Sequence, residues 1–367
     1  MSNARIIGID ASRHSFGQRT GTETYTYHLI NALAGSNSGD EFRLYLNATT
    51  SPPDLPPLGE AIAMPFPRFW THARLSWEML RRPPGVLFVP AHVVPLIHPR
   101  SVVTIHDVGY LHEPDAHPPA QRRALDWTTR WSCRAARRVI AISESTKRDL
   151  VTHYRVPTER ITVIPHGVKL MAATPDDVAR VRALYDLPPR FVLSVGTIQP
   201  RKNLGRLARA VSELAQVGQT HHLVVVGKRG WLADVVETEI AQSGAADRIR
   251  LLGYVADTDL AAFYSAAVAV CFPSLFEGFG LPALEAMAAG CPVIASNRGA
   301  LPEVTADAAE IVDPLDVESI AAGLTRVLTD DTHRSMLIDR GRLRAALFTW
   351  ERTAQQTLDV LRAVRDE

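Results

Sequence analysis

Short apolar segments alternate with longer amphipathic segments along the whole chain of 367 residues. Residues 5–10 (RIIGID) and 101–105 (SVVTI) are too short for helices and largely apolar, as expected for buried strands of a parallel sheet. The pattern begins again at residues 191–196 (FVLSVG). Further predicted strands are residues 41–47, 86–89, 137–142, 161–164, 223–227, 249–253, 268–272 and 292–296. This alternation predicts two doubly wound α/β domains, with residues 171–177 as the linker.

Composition supports two domains and excludes some partners. With 46% hydrophobic residues, the chain can bury two cores of ordinary size. Forty basic against thirty-nine acidic residues leave a formal charge of +1, which provides no global field for nucleic acid, so we predict no nucleic-acid partner. We find no signal-like N-terminus and no apolar run long enough to span a bilayer, and therefore expect a cytosolic, soluble protein.

A loop that turns into a helix, residues 273–290, carries two carboxylates eight positions apart. We expect Glu277 in the loop and Glu285 in about the first helical turn, on either side of the free backbone N–H groups of residues 279–281. Such a helix end favours a phosphate, while carboxylates accept hydrogen bonds from hydroxyls. The pair therefore indicates a nucleotide-sugar. The alternative, a solvated Glu277 and a Glu285 favoured only by the helix dipole, remains open.

A basic pair follows the first strand of the second half. In the loop TIQPRKN, Arg201 and Lys202 lie at the start of a helix predicted from about Asn203. Positive charges are unfavourable there unless an anion lies between them. A diphosphate would relieve the conflict, because arginine binds it as a fork and lysine as a point charge. A solvated basic loop is the alternative.

His106 follows the predicted strand at residues 101–105. An imidazole at the carboxyl tip of a central parallel strand faces the ligand site of such folds and can donate to a sugar hydroxyl. A structural histidine is the alternative. No set of histidines has metal-ligand spacing, so we predict no metal site. Asp257 and Asp259 form a D-x-D pair that can hold a metal elsewhere, but they precede a helix, which favours capping.

Two further segments are candidates for ligand contact. Gly21 and Thr22 lie in the loop predicted at residues 11–24, after the first strand, where α/β folds bind ligands. A helix-entry turn with threonine caps is the other interpretation. Residues 66–82 contain Trp77 and several arginines; an acceptor surface is open, but helical spacing favours core packing of Trp77.

The segment EGFGLPALE, with Glu277 and Glu285 at its ends, resembles the E-x7-E signature of the retaining glycosyltransferases of family four. The V-G-x4-R-K-N segment, the hydrophobic-His-Asp segment at His106 and the glycine loop at Gly21 match other family motifs in order, so the resemblance covers nearly the whole chain. It implies the α/β GT-B fold, with two Rossmann-like doubly wound domains facing a central cleft. Residues 1–171 would bind the acceptor and residues 172–349 the nucleotide-sugar, with a C-terminal helix, residues 350–367, packing back on the first domain.

The resemblance also implies roles for individual residues. Glu285 would bind the nucleotide ribose and Glu277 the transferred sugar, while Arg201 and Lys202 would bind the diphosphate. The implied catalytic residues are His106, Arg201, Lys202 and Glu277. The implied donor-binding residues are Gly21, Thr22, Val255, Phe279, Gly280, Leu281 and Glu285.

The implied reaction is metal-independent, cofactor-free, retaining transfer of a hexose from a nucleotide-sugar to a hydroxyl of a glycan or lipid-linked acceptor. The segments TIHDVGYLHEPDAHP and VGTIQPRKNL are similar to bacterial mannosyltransferases of polysaccharide assembly, which favours GDP-mannose as donor. Another hexose or deoxyhexose donor, linked to UDP or dTDP, is the alternative, as are a same-fold epimerase or phosphorylase and a catalytically silent binding protein. Peripheral contact with the inner face of a membrane also stays open.

Overall fold

The computed structural model describes residues 5–14, 21–36, 38–50, 54–169, 173–216 and 218–367. They form two compact units. The first contains the chain up to Val108, residues 120–167 and Thr349–Glu367, and the second contains Gly109–Pro119 and Val168–Phe348.

The first unit is built on a parallel sheet of seven strands within the described residues. The strands are β1 (Ile6–Asp10), β2 (Glu41–Leu46), β3 (Glu60–Ala63), β4 (Val86–Val89), β5 (Ser101–Ile105), β6 (Arg138–Ala141) and β7 (Ile161–Val163). Their spatial order is β3-β2-β1-β4-β5-β6-β7, so the order reverses between β1 and β4. The edge strand β3 was not predicted, because none of its four residues is fully buried and its sequence, EAIA, lacks the apolar signal of the inner strands.

The second unit repeats this arrangement with six parallel strands in the part of the chain described. The strands are β8 (Phe191–Val195), β9 (His222–Val226), β10 (Ile249–Gly253), β11 (Ala269–Phe272), β12 (Val293–Ser296) and β13 (Glu310–Val312). The order β10-β9-β8-β11-β12-β13 reverses between β8 and β11. Both sheets thus have the Rossmann order, and ligands of such sheets bind at the carboxyl ends of the strands that flank the reversal. The predicted α/β class, with two doubly wound parallel sheets, is confirmed.

Helices flank the strands in both units. In chain order they are α1 (Gly21–Gly35), α2 (Ser76–Arg81), α3 (Gly109–His112), α4 (Pro119–Ala135), α5 (Glu144–Tyr154), α6 (Pro175–Leu184), α7 (Leu204–Gln216), α8 (Ala233–Ala241), α9 (Asp257–Ala266), α10 (Leu281–Ala288), α11 (Leu301–Thr305), α12 (Val317–Thr329), α13 (Asp331–Ala345) and α14 (Trp350–Asp366). None of the described helices has the length and apolar character needed to cross a membrane.

The last helix, α14, packs within the first unit. Its buried residues include Trp350, Leu358 and Leu361, which join the same core as Leu29 of α1 and strand residues of the sheet. The approach is close at Gly167, where an added Cβ would collide with the Trp350 backbone. A glycine is therefore required where the chain leaves β7 and meets α14.

Two local predictions were wrong. The predicted linker, residues 171–177, is too long: residues 171 and 172 lie outside the described residues, and α6 already begins at Pro175, with Thr174 and Asp177 forming a capping box. Trp77 is not a core residue, since it is 54% exposed. A π-helical turn at Thr71–Leu75 precedes α2 and changes the helical phase. The tryptophan of this segment that is buried is Trp70, which donates its Nε1–H to the Met64 carbonyl at 2.9 Å.

Candidate active site

The carboxyl ends of β8 and β11 bring together residues that lie 75 and 76 positions apart in the sequence. β8 leads to Arg201 and Lys202, and β11 leads to the loop that contains Glu277. The two loops are joined by a backbone hydrogen bond from the Leu275 N–H to the Arg201 carbonyl, 2.9 Å long. Because the strand order of the sheet reverses between β8 and β11, this is the expected ligand site of the second unit.

The side chains of Arg201, Lys202 and Glu277 form a buried ion triad. Arg201 Nη1 lies 3.2 Å from Glu277 Oε2 and also donates to the Phe276 carbonyl at 2.6 Å. Lys202 Nζ donates to Glu277 Oε1 at 2.7 Å. The side chains of all three are 13% exposed or less. Burial would raise the pKa of Glu277, but the positive charges of Arg201 and Lys202 outweigh burial and lower it.

This triad changes the interpretation of each member. Glu277 is buried and ionised, which does not fit a solvated loop residue. Arg201 and Lys202 already have an anion between them, so their position alone does not require a diphosphate. With two cations and one carboxylate, the triad carries an excess of one positive charge. Because the three side chains are largely buried, this excess favours an anionic ligand.

The local backbone explains why the basic pair is held beside Glu277. The helix that follows begins at Leu204, and Arg201 and Lys202 lie before it, in a 3-10 turn at Pro200–Lys202. Asn203 has a left-handed conformation (φ 60°), and its Nδ2 donates to the carbonyls of Pro273 (2.9 Å) and Pro314 (2.7 Å). This asparagine therefore fixes the turn to the loop after β11.

Two glycines allow close packing around the triad. Gly196 has φ 148°, and a Cβ there would lie 2.9 Å from Lys202 Cε. Gly299 has φ 63°, and a Cβ there would press on the backbone of Glu277. Since both positions combine positive φ with a close contact, any side chain would displace a member of the triad.

The helix α10 starts beside the triad, with Gly280 (φ 102°) as the residue before it. The N-terminal N–H groups of this eight-residue helix receive no side-chain cap from Gly280. Phe279 is buried, with its ring 5.9 Å from that of Phe348, and Leu281 is the first helical residue. The predicted phosphate-binding backbone, residues 279–281, is thus the start of a helix, as expected.

Glu285 lies in the second turn of α10 rather than the first, so the dipole of the helix end explains little of its position. Its Oε2 accepts a hydrogen bond from the Tyr264 hydroxyl at 2.8 Å. Burial raises the pKa of Glu285 to about 7, although the hydrogen bond from Tyr264 opposes the rise. Near neutral pH this carboxyl group therefore exchanges between its protonated and ionised forms.

The remaining predicted residues of the second unit lie near the start of α9. Val255 is buried, in the turn after Gly253 (φ 74°). The predicted capping by the D-x-D pair is wrong in detail, because the cap position of α9 is Ala256, and Asp257 and Asp259 lie in the first helical turn. Instead, the Asp259 carboxylate accepts hydrogen bonds from Arg180 (2.7 Å) and from the Tyr185 hydroxyl (3.0 Å).

In the first unit, Gly21 and Thr22 begin α1 instead of ending a loop. The predicted loop, residues 11–24, was therefore too long, and residues 15–20 lie outside the described residues. A Cβ at Gly21 would meet no described atom within 4 Å, so packing does not require a glycine there. Thr22 contributes its carbonyl to a hydrogen bond from Thr26 Oγ1 at 3.0 Å. Both residues fit the helix-entry interpretation.

His106 follows β5 and belongs to a buried group of aromatic rings. Ring centroids of His92, His166 and Tyr25 lie 5.2, 5.4 and 4.9 Å from that of His106. Nε2 of His106 lies 2.7 Å from the Pro90 carbonyl, which can only accept, so Nε2 carries the proton. Burial lowers the pKa of His106, which keeps the ring neutral.

This tautomer changes the predicted role of His106. In the neutral ring Nδ1 has a lone pair and no proton, so it accepts a hydrogen bond from a hydroxyl and does not donate one. The sequence also gave no indication of His92, His166, Tyr25 or Tyr264 as neighbours of the candidate site residues. Their hydrogen bonds and ring contacts are made over long sequence separations, for which the local pattern holds no signal.

Comparisons with known proteins assign the class. A family model described as Glycosyltransferase Family 4 matches residues 19–171, and one described as Glycosyl transferases group 1 matches residues 178–344. The O-antigen chain mannosyltransferase B of Escherichia coli is 32% identical over 308 residues, covering 83% of this chain and 80% of that protein. The MMP alpha-(1->4)-mannosyltransferase of Mycolicibacterium hassiacum is 36% identical over 236 residues, covering 62% and 55% respectively.

Solved structures of other proteins have the same fold as this chain. Sucrose-phosphate synthase from Thermosynechococcus elongatus superposes with a TM-score of 0.78 and 24% identity over 98% of both chains. Anabaena HepE, solved in complex with UDP and glucose, superposes with a TM-score of 0.73 and 18% identity over 97% of this chain and 99% of that chain. The fold is GT-B. The chain belongs to the family 4 glycosyltransferases and is an enzyme of that class.

Proposed function

We propose that this glycosyltransferase moves mannose from GDP-mannose to a hydroxyl of a glycan or lipid-linked acceptor, with retention of configuration and without a metal. The observation that carries the proposal is the buried triad of Arg201, Lys202 and Glu277 at the start of α10. Its excess positive charge and the positive end of the α10 dipole suit a diphosphate that gains charge as it leaves.

The two glutamates suit the two sugars of such a donor. Glu277 is ionised and can accept from hydroxyls of the transferred sugar, while Glu285 has one oxygen held by Tyr264 and can use the other for the ribose. Because Glu277 is bound by two cations, it is a weak nucleophile. This favours front-face transfer, in which the leaving diphosphate takes the proton of the acceptor hydroxyl, over a double displacement.

In the first unit, the neutral Nδ1 of His106 can accept a hydrogen bond from a sugar hydroxyl. Mannose is favoured as the transferred sugar because two relatives are named mannosyltransferases. A UDP-linked hexose is the second candidate, since HepE was solved with UDP-glucose.

The test is a donor panel of GDP-mannose, UDP-glucose and a dTDP-deoxyhexose, measured with excess EDTA. We expect GDP-mannose to raise the melting temperature most and to be hydrolysed or transferred in EDTA. NMR should show that the product keeps the anomeric configuration of the donor. Preference for another donor would replace GDP-mannose. An inverted product would overturn retention, and activity restored only by manganese or magnesium would overturn metal independence.

A further inference from the structure

Tyr264 is a fully buried residue of α9 that contacts Glu285 directly. Its hydroxyl donates to Glu285 Oε2 at 2.8 Å, and this hydrogen bond links α9 to α10. A tyrosine reaches this position because α9 runs directly into β11, and α10 follows the loop at the other end of that strand. The phenol is thus held by the fold, not by a mobile segment.

The hydrogen bond leaves half of the Glu285 carboxyl group for a ligand. Oε2 is held by Tyr264, whereas no described residue hydrogen-bonds Oε1. The titratable groups that act on this pair are Asp257 of α9 and Cys291, the residue after Gly290, and neither supplies a positive charge. Glu285 is therefore held by one neutral donor, in contrast to Glu277, which two cations hold.

We propose that Tyr264 is a positioning residue for the donor: its hydroxyl orients the Glu285 carboxylate so that Oε1 accepts from the ribose hydroxyls of the nucleotide. This rests on the proposed function, in which Glu285 binds the ribose. Burial raises the pKa of Glu285 to about 7, and the hydrogen bond from Tyr264 limits that rise. The phenol therefore also favours the form of Glu285 that can accept two hydroxyl hydrogen bonds.

The experiment compares Tyr264→Phe with the wild-type enzyme, using calorimetry with GDP, or UDP if it binds more tightly, and with its 2′,3′-dideoxy analogue. The analogue has no ribose hydroxyls for Oε1 to accept from. We expect the substitution to weaken ribonucleotide binding by about tenfold, the value of one hydrogen bond to a charged group, and to leave binding of the dideoxy analogue nearly unchanged.

The pH dependence separates positioning from simple loss of packing. Without the hydroxyl, the pKa of Glu285 should rise further, so more of the group is protonated at neutral pH. Because both nucleotides carry the same diphosphate, its titration cancels when the affinity for the ribonucleotide is divided by the affinity for the dideoxy analogue. We expect Tyr264→Phe to lower this ratio, and we expect the reduction to become smaller as the pH rises from about 6.5 to about 8.5. A purely structural role would give a penalty that does not change with pH.

Tyr185→Phe is the matched control. The Tyr185 hydroxyl also donates to a buried carboxylate of the second unit, that of Asp259, at 3.0 Å. Its loss should lower thermal stability as Tyr264→Phe does, but should leave nucleotide binding and its pH dependence unchanged. If Tyr264→Phe does not fold, Tyr264→Phe combined with Glu285→Gln takes its place and should bind the ribonucleotide as Glu285→Gln alone does.

The outcomes distinguish this inference from the proposed function. If Tyr264→Phe binds both nucleotides as the wild type does, or binds both more weakly by the same factor, the positioning role is wrong. In that case the ribose role still stands if Glu285→Gln no longer prefers the ribonucleotide to the dideoxy analogue. If the wild type does not prefer the ribonucleotide and Glu285→Gln binds it normally, the ribose role is itself wrong and the positioning role falls with it.

Discussion

The two sheets share one strand order but carry opposite chemistry at their carboxyl ends. In the second unit, Arg201, Lys202 and Glu277 are buried as ions, because each charge has a partner of opposite sign within 3.2 Å. In the first unit, His106 and His166 are buried as neutral rings, since burial lowers the pKa of each. A buried group thus stays ionised only where counter-charges outweigh the effect of burial.

This difference shows that the fold provides the location of a site and the side chains provide its chemistry. A charged strand end suits a diphosphate, and a neutral one with a hydrogen-bond acceptor suits the hydroxyls of a sugar. Substitutions that change the charge at the carboxyl ends of either sheet should therefore alter ligand binding or stability in different ways.

The largest effect is expected from replacing both cations of the second unit. Arg201→Gln combined with Lys202→Gln removes two charge-assisted contacts, each of about 1.5–3 kcal/mol, so GDP binding should weaken by several kcal/mol. Calorimetry with GDP measures this loss of binding free energy. Arg326→Gln, which removes a surface partner of Glu310, is the control and should bind GDP as the wild type does. Unchanged GDP affinity in the double variant would overturn the diphosphate assignment.

The next effect concerns stability and has an unusual sign. An acid whose pKa is raised on folding, here from 4.5 to about 7, makes the folded state less stable as the pH rises between those values. Glu285→Gln removes that cost, so the variant should be more stable than the wild type by about 3 kcal/mol at pH 8 and by much less at pH 5.

Guanidinium unfolding at the two pH values tests this. Glu277→Gln is the contrast: its carboxyl group has a lowered pKa, so its stabilising charge is present at both pH values and is lost only as the pH falls below about 4.5. It should destabilise the protein at pH 5 and pH 8 alike. An equal gain from Glu285→Gln at both values would contradict the raised pKa.

Much of the fold and part of the site could be predicted from the sequence, for a local reason. The inner strands are continuous apolar runs bounded by turn residues, so the pattern itself marks them. His106 directly follows such a strand, and Arg201 and Glu277 lie in the loops that follow two others. They were found because the carboxyl ends of parallel strands meet at one edge of a sheet.

What the sequence could not provide depends on contacts between distant segments. Glu277 is the counter-ion of Lys202 across 75 positions, and Tyr264 holds Glu285 across 21. Neither pairing leaves a local pattern. Trp77 was misassigned because a π-helical turn alters the helical phase before it, and the tautomer of His106 depends on the carbonyl of Pro90.

A smaller effect should separate binding from transfer at Glu277. Glu277→Gln removes the negative charge of the triad and leaves both cations, so GDP binding should not weaken. The transfer rate should fall, because the charged acceptor for the sugar hydroxyls is lost. The expected loss of transition-state stabilisation is about 1.5–3 kcal/mol. Rates and GDP affinities of this variant are compared with those of Glu310→Gln, a carboxylate that pairs with Arg326 away from the triad. Loss of GDP binding together with transfer would place Glu277 on the diphosphate side.

The smallest effect tests the neutral histidines of the first unit. A base whose pKa is lowered on folding binds its proton only in the unfolded chain, so the folded state loses stability as the pH falls below about 6.5. His166→Gln removes one such group, and the loss of stability between pH 7.5 and pH 5.5 should be smaller than in the wild type by about 1 kcal/mol.

Tyr25→Phe is the control, because it alters the same ring cluster while the pKa of Tyr25, about 12, lies far above this range. Its pH dependence should match the wild type in guanidinium unfolding at both pH values. If His166→Gln has the same dependence as the wild type, the ring is already charged in the folded state, and the contrast between a neutral and a charged strand end does not hold.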